Sequence, residues 1–378
     1  MGANQQNSSL DLSSFRTAGR RLRNLAAAIS APAIESTAWR RKRLLVLGYH
    51  GISLDDEHLW DGLIYMPAKM FRRRLNILRK ANYTVLPLAL ALQKLKEGTL
   101  PPRAVTLVFD DGFHDFASIA APILAEFGYP ATVYLSSYYS MFNRPIFDIM
   151  LRYLLWKGSN RKINLPEILP CSVLLDRQGQ LDVCEAVRKF AFDNQMTGQE
   201  KDAMLGRIAA ALEIDYELLC QKRLLQTMNA AEVRAMKEQG YDIQMHTHRH
   251  RVSRKRELFE REIDQNREWI QRTAGGEIPV HFSFPGGVWE PVEKEWLLQL
   301  GIETAMTCVP ALADDRVDKF RLPRFVDNSH ISDRTFRAWV AGSMYLFPVG
   351  KGVTTTGQIL EDTIQVSEAG SNVPASLV

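Results

Sequence analysis

The sequence predicts a parallel α/β architecture, a (β/α)7-type distorted barrel with a helical insertion. Two observations carry that reading. Short apolar runs of strand length alternate with helically spaced segments, the rhythm of parallel strands joined by covering helices. Several of these runs also end in residues that carry chemistry: His50, the Asp110 and Asp111 pair, and a cluster of histidines at 246–250. In α/β proteins sites collect at the carboxyl ends of strands, where loops place side chains without disturbing the core.

Taken in order, residues 44–49 form an apolar run ending in His50 and Gly51, read as a buried strand and a turn. Residues 71–80 and 88–95 have helical spacing. Pro101 and Pro102 punctuate before a second buried strand, 104–109, which ends in Asp110, Asp111 and Gly112. A helix at 119–127 closes on Gly128, and 131–135 is a third strand. Residues 138–226 break the rhythm with helical stretches at 152–156, 184–192 and 203–219, read as an insertion on the catalytic face. A helix at 231–239 leads into the strand 241–245. The charged segment 257–272 reads as a helix with a solvated outer face. Strand 280–284, helix 292–300 and strands 302–307 and 320–325 complete the set. Strand starts at 44, 104, 131, 241, 280, 302 and 320 make seven. Parallel strands need both faces covered, so a closed or nearly closed barrel is the economical arrangement.

The 378 residues are enough for one large barrel, and 46% hydrophobic and 24% charged residues are the values of a globular chain. The net charge of +4 is unevenly placed. Residues 1–43 hold eight of the 47 basic groups and two of the 43 acidic ones, which leaves 39 against 41 in the remainder. A body so nearly neutral argues against nucleic-acid binding, which needs a basic face. The expected organisation is a basic leader at 1–42, a catalytic domain at 43–348 with its insertion at about 138–226, and a disordered tail at 349–378. Residues 1–10 are expected to be disordered as well. Within the leader, Leu12, Phe15, Leu22, Leu25 and Ile29 recur at helical spacing among arginines. Three readings stand: a peripheral helix on an anionic membrane, a helix packed on the body, or a leader without function. No secretory signal plan and no membrane-spanning run is present, so the expected location is cytoplasmic or peripheral at the inner membrane. Cys171, Cys184, Cys220 and Cys308 form no metal or disulfide pattern and are expected to be buried thiols.

The chemistry is densest at H-T-H-R-H, 246–250, which holds three of the eight histidines. His246 and His250 are four apart, close enough to bind one metal through neutral imidazoles, and a solvated polar loop is the competing reading. Asp110 and Asp111 repel each other, so such a pair usually has a cation or a proton to share, although a plain Asp-Gly turn gives the same letters. One carboxylate with the two histidines leaves positions open, the pattern of a catalytic metal. A metal that lowers the pKa of water to about 7 makes it a usable nucleophile, with the other carboxylate free to take its proton.

V-F-D-D-G at 108–112, H-T-H-R-H at 246–250 and F-S-F-P-G-G at 282–287 resemble, in order, the motifs of the polysaccharide deacetylases, the carbohydrate esterases with a NodB-homology domain. The approach to the second motif, from Met228 to His246, is similar to that family as well. The resemblance spans about residues 43–345 and implies a NodB-like barrel acting on acetylated glycans. It implies Asp110 as general base, and Asp111, His246 and His250 as ligands of one divalent ion, most often zinc, with cobalt, nickel or manganese as alternatives. It implies a backbone N–H at the Pro285-Gly286 turn for the oxyanion, and Thr247 bracing the loop. Two positions depart from the pattern. Ser283 stands where an arginine often orients the base, and Gly286 where an aromatic is common. Arg324, in F-R-L-P-R-F, either supplies the missing guanidinium or is a surface arginine. The late L-x-H motif that holds the general acid is absent, and His330 in N-S-H-I does not match it. His50 is the better candidate, since a branch of the family is circularly permuted so that this strand comes first, and a strand-capping histidine is the alternative. His248, His58 and His114 are expected to be exposed or behind the site, and Tyr138, Tyr139, Phe142, Phe147 and Trp289 are candidates for stacking on sugars. The leading expectation is removal of N-acetyl groups from an N-acetylglucosamine-containing glycan. O-acetyl ester hydrolysis, a lipid-linked or short saccharide substrate, and a catalytically silent glycan-binding or assembly protein are the alternatives.

Overall fold

The structure is a computed structural model that describes residues 12–287, 289 and 293–346. The first ten residues, the tail from 349 and the start of the expected helix at 292 lie outside the described residues. The chain enters through helix α1 (Leu12–Glu35) and a single turn α2 (Ala38–Arg41). It then builds β1 (Leu45–Tyr49), α3 (Ala68–Lys80), β2 (Thr84–Val85), α4 (Leu88–Glu97) and β3 (Ala104–Phe109). A π-helical turn, Phe116–Ala120, leads into α5 (Ala121–Phe127) and β4 (Thr132–Leu135). The insertion holds α6 (Phe147–Lys157), α7 (Arg177–Asp193), α8 (Gly198–Ala211) and α9 (Tyr216–Gln221). Then come α10 (Ala230–Glu238), β5 (Asp242–Met245), α11 (Arg256–Ala274), β6 (His281–Ser283), α12 (Glu293–Gln299), β7 (Thr304–Met306), β8 (Phe325–Val326) and α13 (Asp333–Ala341).

The strands form one eight-stranded sheet in the order β7-β6-β5-β4-β3-β1-β8, with β2 beside β3. Every pairing in it is parallel. The two ends of the sheet approach one connection. Leu322 bridges Met306 of β7, and three residues later Phe325 pairs with Leu47 of β1. The last strand expected at 320–325 is therefore shorter than its apolar pattern suggested. Pro323 interrupts the run, and without an N–H it cannot donate to a ladder. Strands β1 and β3 are buried along their whole length, which is why both read as unbroken apolar runs rather than as alternation.

The register places the chemistry. Tyr49 pairs with Phe109, so His50 and Asp110 leave the sheet side by side. Met245 pairs with both Leu135 and Phe282, so His246 emerges next to Ser136 and Ser283. The insertion has its own apolar core, including Met150, Leu154, Val187 and Ile208, and that core also takes in Tyr65 and Phe113 from the barrel. Its return segment hydrogen-bonds the Asp110–Gly112 turn and the residues after it: Met228 N–H donates to Gly112 carbonyl at 2.8 Å, and His114 N–H to Gln226 carbonyl at 2.9 Å. At the chain entry, Ala27 of α1 is buried with Ala338 of α13 and Met344. Arg40 is fully buried and donates to the carbonyls of Val340 (3.2 Å), Arg43 (2.7 Å) and Ala104 (3.3 Å).

Candidate active site

The site sits at the carboxyl ends of β1, β3, β5 and β6, with Arg324 entering from just before β8. His246 is held on three sides. Its N–H donates to Asn266 Oδ1 at 2.9 Å, its carbonyl accepts from Ser136 Oγ at 3.0 Å, and its ring Nδ1 stands 2.7 Å from the Ser283 carbonyl. A carbonyl only accepts, so Nδ1 carries the proton and, in the neutral ring, Nε2 presents its lone pair. That Nε2 faces Asp111 Oδ1 at 3.3 Å, and His250 Nε2 faces the same oxygen at 3.1 Å. Asp111 Oδ1 is buried and accepts no hydrogen bond. The three ligand atoms lie within 4.8 Å of one another. Two imidazole nitrogens and a carboxylate oxygen turned on one point are the donor set of a borderline divalent cation, and the orphaned Asp111 oxygen fits such an ion. The backbone carbonyl behind His246 is the usual support of a metal-bound imidazole. His250 has 43% of its side chain exposed, which leaves this side of the site open.

The backbone is bent to make the arrangement. Asp111 (φ 68°), Thr247 (φ 62°) and His250 (φ 56°) all lie in the left-handed region, where non-glycine residues are strained and tend to mark functional sites. Thr247 Oγ1 accepts from Arg251 N–H at 2.9 Å and closes the loop. Gly112 (φ 71°) follows Asp111, and a Cβ there would fall 2.2 Å from Leu135 Cδ1.

Asp110 is buried and gripped by Arg324. The guanidinium donates from Nη1 to Oδ1 at 2.7 Å and from Nη2 to Oδ2 at 2.5 Å, a planar fork on both carboxylate oxygens. Arg324 is itself fixed by the Thr307 carbonyl at 3.1 Å and Cys308 Sγ at 3.3 Å, and Gly48 in β1 leaves room for its stem. Of the two readings of Arg324, the structure places it inside the barrel, on the base candidate, and not at the surface. Burial pushes the Asp110 carboxyl up, but Arg324 and His246 outweigh it and hold the group below the usual carboxylate range. Ser283 Oγ stands 3.4 Å from Asp110 Oδ2.

His50 Nε2 is 3.8 Å from the same Asp110 oxygen, and its buried Nδ1 has no hydrogen-bond partner. Burial lowers its pKa against the pull of Asp111 and Asp110, so the ring is neutral in this state. Pro285 and Gly286 form a tight turn after β6, with Gly286 at φ 65°. His330 is exposed and follows Asn328, whose Oδ1 accepts its N–H at 3.1 Å. His248 is buried, with Nδ1 2.9 Å from Ser137 Oγ, and His114 Nδ1 is 2.9 Å from Glu232 Oε1. Tyr138 packs against Tyr139, Phe142 and His248 beside the loop 246–250, while Trp289 lies under Arg321 at 4.0 Å. Phe147 opens α6 of the insertion. Among the cysteines, Cys184 and Cys308 are buried as expected, but Cys171 is exposed.

Sequence reasoning passed over Asn266, in a helix read as a solvated charged face. A signal was present: Phe259, Ile263, Asn266 and Ile270 share one helical stripe, so the asparagine occupies a core position.

The family model for polysaccharide deacetylase matches residues 213–305, the stretch that carries His246, His250 and the Pro285-Gly286 turn. That stretch, about a quarter of the chain, is where the sequence is similar to the polysaccharide deacetylases. Members of that family are hydrolases. Among solved structures, the chain resembles the Streptococcus pyogenes deacetylase PplD at 14% identity and a TM-score of 0.50, over 77% of this chain and 94% of that one. It also matches a de-N-acetylase from Aggregatibacter actinomycetemcomitans (15% identity, TM-score 0.49, 79% and 99% covered) and IcaB from Ammonifex degensii (14%, 0.48, 80% and 97%). The likeness to PplD is one of fold. No curated protein matches the sequence. Asp110 and Asp111 lie outside the matched residues, and the sheet register is what brings them to the two histidines.

Proposed function

We propose that the chain is a divalent-metal-dependent deacetylase that removes N-acetyl groups from an N-acetylglucosamine-containing polysaccharide or oligosaccharide, with an exopolysaccharide as the natural setting. The observation that carries the metal dependence is the buried Asp111 oxygen turned, without a hydrogen bond, toward two imidazole nitrogens. Asp111, His246 and His250 would hold the ion, zinc by preference, with cobalt, nickel or manganese able to take its place. When bound, it supplies Lewis acidity, which acidifies water and polarises an acyl oxygen.

The protein's own residues do the rest. Asp110, ionised and held planar by Arg324, takes the proton of the attacking water at Oδ2. Gly286 offers its N–H to the developing oxyanion at the Pro285 turn, which acts only when charge builds on the oxygen. The neutral His50 lies 3.8 Å from Asp110 Oδ2 and would receive that proton through one water or a short approach, then pass it to the departing amine. The amide C–N bond breaks, acetate leaves, and the sugar keeps a free amine. Tyr138, Tyr139 and Phe142 flank the loop 246–250 and would stack on neighbouring sugar rings. An O-acetyl ester would react through the same groups.

The test is acetate release from N-acetylated chito-oligomers by the protein loaded with Zn²⁺ or Co²⁺. Asp110→Asn is expected to abolish release while metal stays bound, and unchanged turnover would remove the assigned base. A His50→Ala variant with the full rate would remove the proton donor.

The location we assign is cytoplasmic or peripheral at the inner membrane. No helix among the described residues is long and apolar enough to cross a membrane. Leu25 and Ile29 are exposed on α1, in a helix that also carries Arg16, Arg20, Arg21 and Arg23. An apolar ridge with basic neighbours supports contact with an anionic bilayer surface. Co-flotation with anionic vesicles, lost in a Leu25→Ser, Ile29→Ser variant, is the expected result.

A further inference from the structure

We infer that Asn266 is a positioning residue for His246, setting that ring toward the metal from α11; the inference rests on the metal site proposed above. Asn266 is fully buried in the middle of α11, on the stripe otherwise filled by Phe259, Ile263 and Ile270. A carboxamide there is tolerated only if its polar atoms are bonded, and they are. Oδ1 accepts the His246 N–H at 2.9 Å, while Nδ2 donates to the Leu135 carbonyl at 3.0 Å and to Ser137 Oγ at 2.7 Å.

These contacts tie together two strand ends. Leu135 ends β4, Met245 ends β5, and the two are paired in the sheet. His246 is the first residue beyond that pair, and the chain turns into the left-handed region at Thr247. Its N–H is a buried donor at the point where the loop leaves the sheet, and the amide oxygen of Asn266 replaces a strand as its acceptor. With Ser136 on the carbonyl and the Ser283 carbonyl on Nδ1, the residue is bonded at three points. The fourth, Nε2, is left facing Asp111. Asn266 reaches neither the metal ligand atoms nor Asp110 in any hydrogen bond, so it acts through the placement of His246.

A purely structural asparagine would change stability and leave metal affinity alone, and this separates the two roles. Wild type, Asn266→Ala and Ser137→Ala, each full length and stripped of metal, are titrated with Zn²⁺ by calorimetry and with Co²⁺ by visible absorption. Unfolding of the metal-free forms is followed in parallel. Asn266→Ala is expected to bind roughly 10–100-fold more weakly, the usual effect of losing a group that orients a ligand. Ser137→Ala removes a partner of the Asn266 amide nitrogen but leaves its oxygen on the His246 N–H, and is expected to lose stability yet bind close to wild type. Where the Asn266 alanine variant does not fold, Asn266→Ser, which fills part of the space but falls short of the His246 N–H, takes its place. Equal affinity in wild type and the Asn266 alanine or serine variant overturns the inference, as does a Ser137→Ala variant as weak as Asn266→Ala. Wild type that binds neither metal overturns the metal-site reading and this inference together, so the two failures are told apart.

Discussion

Arg324 shows how one residue can settle a departure elsewhere. Ser283 occupies the place where the family resemblance led us to expect a guanidinium, and the guanidinium arrives on Asp110 from just before β8. The sequence left Arg324 open between the site and the surface because nothing local says which way a residue before a two-residue strand will point. Register decides it: Phe325 pairs with Leu47, and Gly48 beside them has no side chain to block the arginine stem. The fork on both oxygens of Asp110 cannot be reproduced by an ammonium group. Arg324→Lys is therefore expected to keep the charge but lower kcat in acetate release by roughly 10–100-fold, as loss of an orienting partner does. Arg324→Ala leaves a buried carboxylate unpaired and is expected to destabilise the fold by about 3–5 kcal/mol in urea. A second buried carboxyl behaves in the opposite way. Asp115 accepts the Ile52 N–H at 2.9 Å, but burial, with Glu57 and Asp111 adding to it, raises its pKa well above the ordinary value. The folded protein thus binds a proton that the unfolded chain gives up. This contribution to stability is complete below the unfolded pKa of about 4 and is lost as pH rises toward the folded value. Asp115→Asn, a neutral isostere, is expected to unfold at higher urea than wild type at pH 8, with the difference gone below pH 4. A constant difference across pH would mean that Asp115 is ionised in the fold.

Among the elements, those that run unbroken through the core were legible and those set by partners were not. The run at 104–109 is a strand over the residues expected, because β-branched and aromatic side chains buried on both faces leave no other reading. The helix at 256–274 was also found, but its mixed charges hid a buried face holding Glu262 and Asn266. Glu262 accepts the Arg249 N–H at 2.7 Å, so α11 braces the ligand loop at two places. The helical insertion was recognised by a break in rhythm, yet its attachment to the Asp110–Gly112 turn depends on contacts between residues far apart in sequence. Phe113, two residues after Asp111, is buried in the insertion's core beside Tyr65, with ring centroids 5.5 Å apart. Phe113→Ala would open a void between that core and the turn, and the expected loss is about 3–5 kcal/mol. Because the turn carries Asp111, the same variant is expected to bind Zn²⁺ more weakly than wild type. A loss of stability at unchanged affinity would show that the insertion and the turn are mechanically separate.

Over the whole molecule, the three motifs start at positions 108, 246 and 282, and the barrel brings them to one end of one sheet. The order of motifs, each at a strand end, made the barrel readable and singled out Asp111, His246 and His250, which the fold brings together. The acceptor behind His246, the fork on Asp110 and the proximity of His50 follow from strand order and register, which no local pattern encodes. The described part of the basic leader begins as α1, whose Ala27 is buried against α13, and ends with Arg40 buried beneath β3, so the entry segment stabilises the closing end of the barrel. The ligand trio places the strongest test at this scale. Without a cation, Asp111 Oδ1 and His246 Nε2 are left facing each other beside a strained loop, and a group that binds only the folded state adds stability by mass action. Stripping the metal with a chelator is expected to abolish acetate release and lower the unfolding free energy. Restoring Zn²⁺ at 100 times its dissociation constant should return about 2.7 kcal/mol. Asp111→Asn should remove most of that metal-dependent gain. If the stripped wild type and the zinc-loaded protein unfold at the same urea concentration, the trio does not hold a metal, and the two histidines are a polar loop after all.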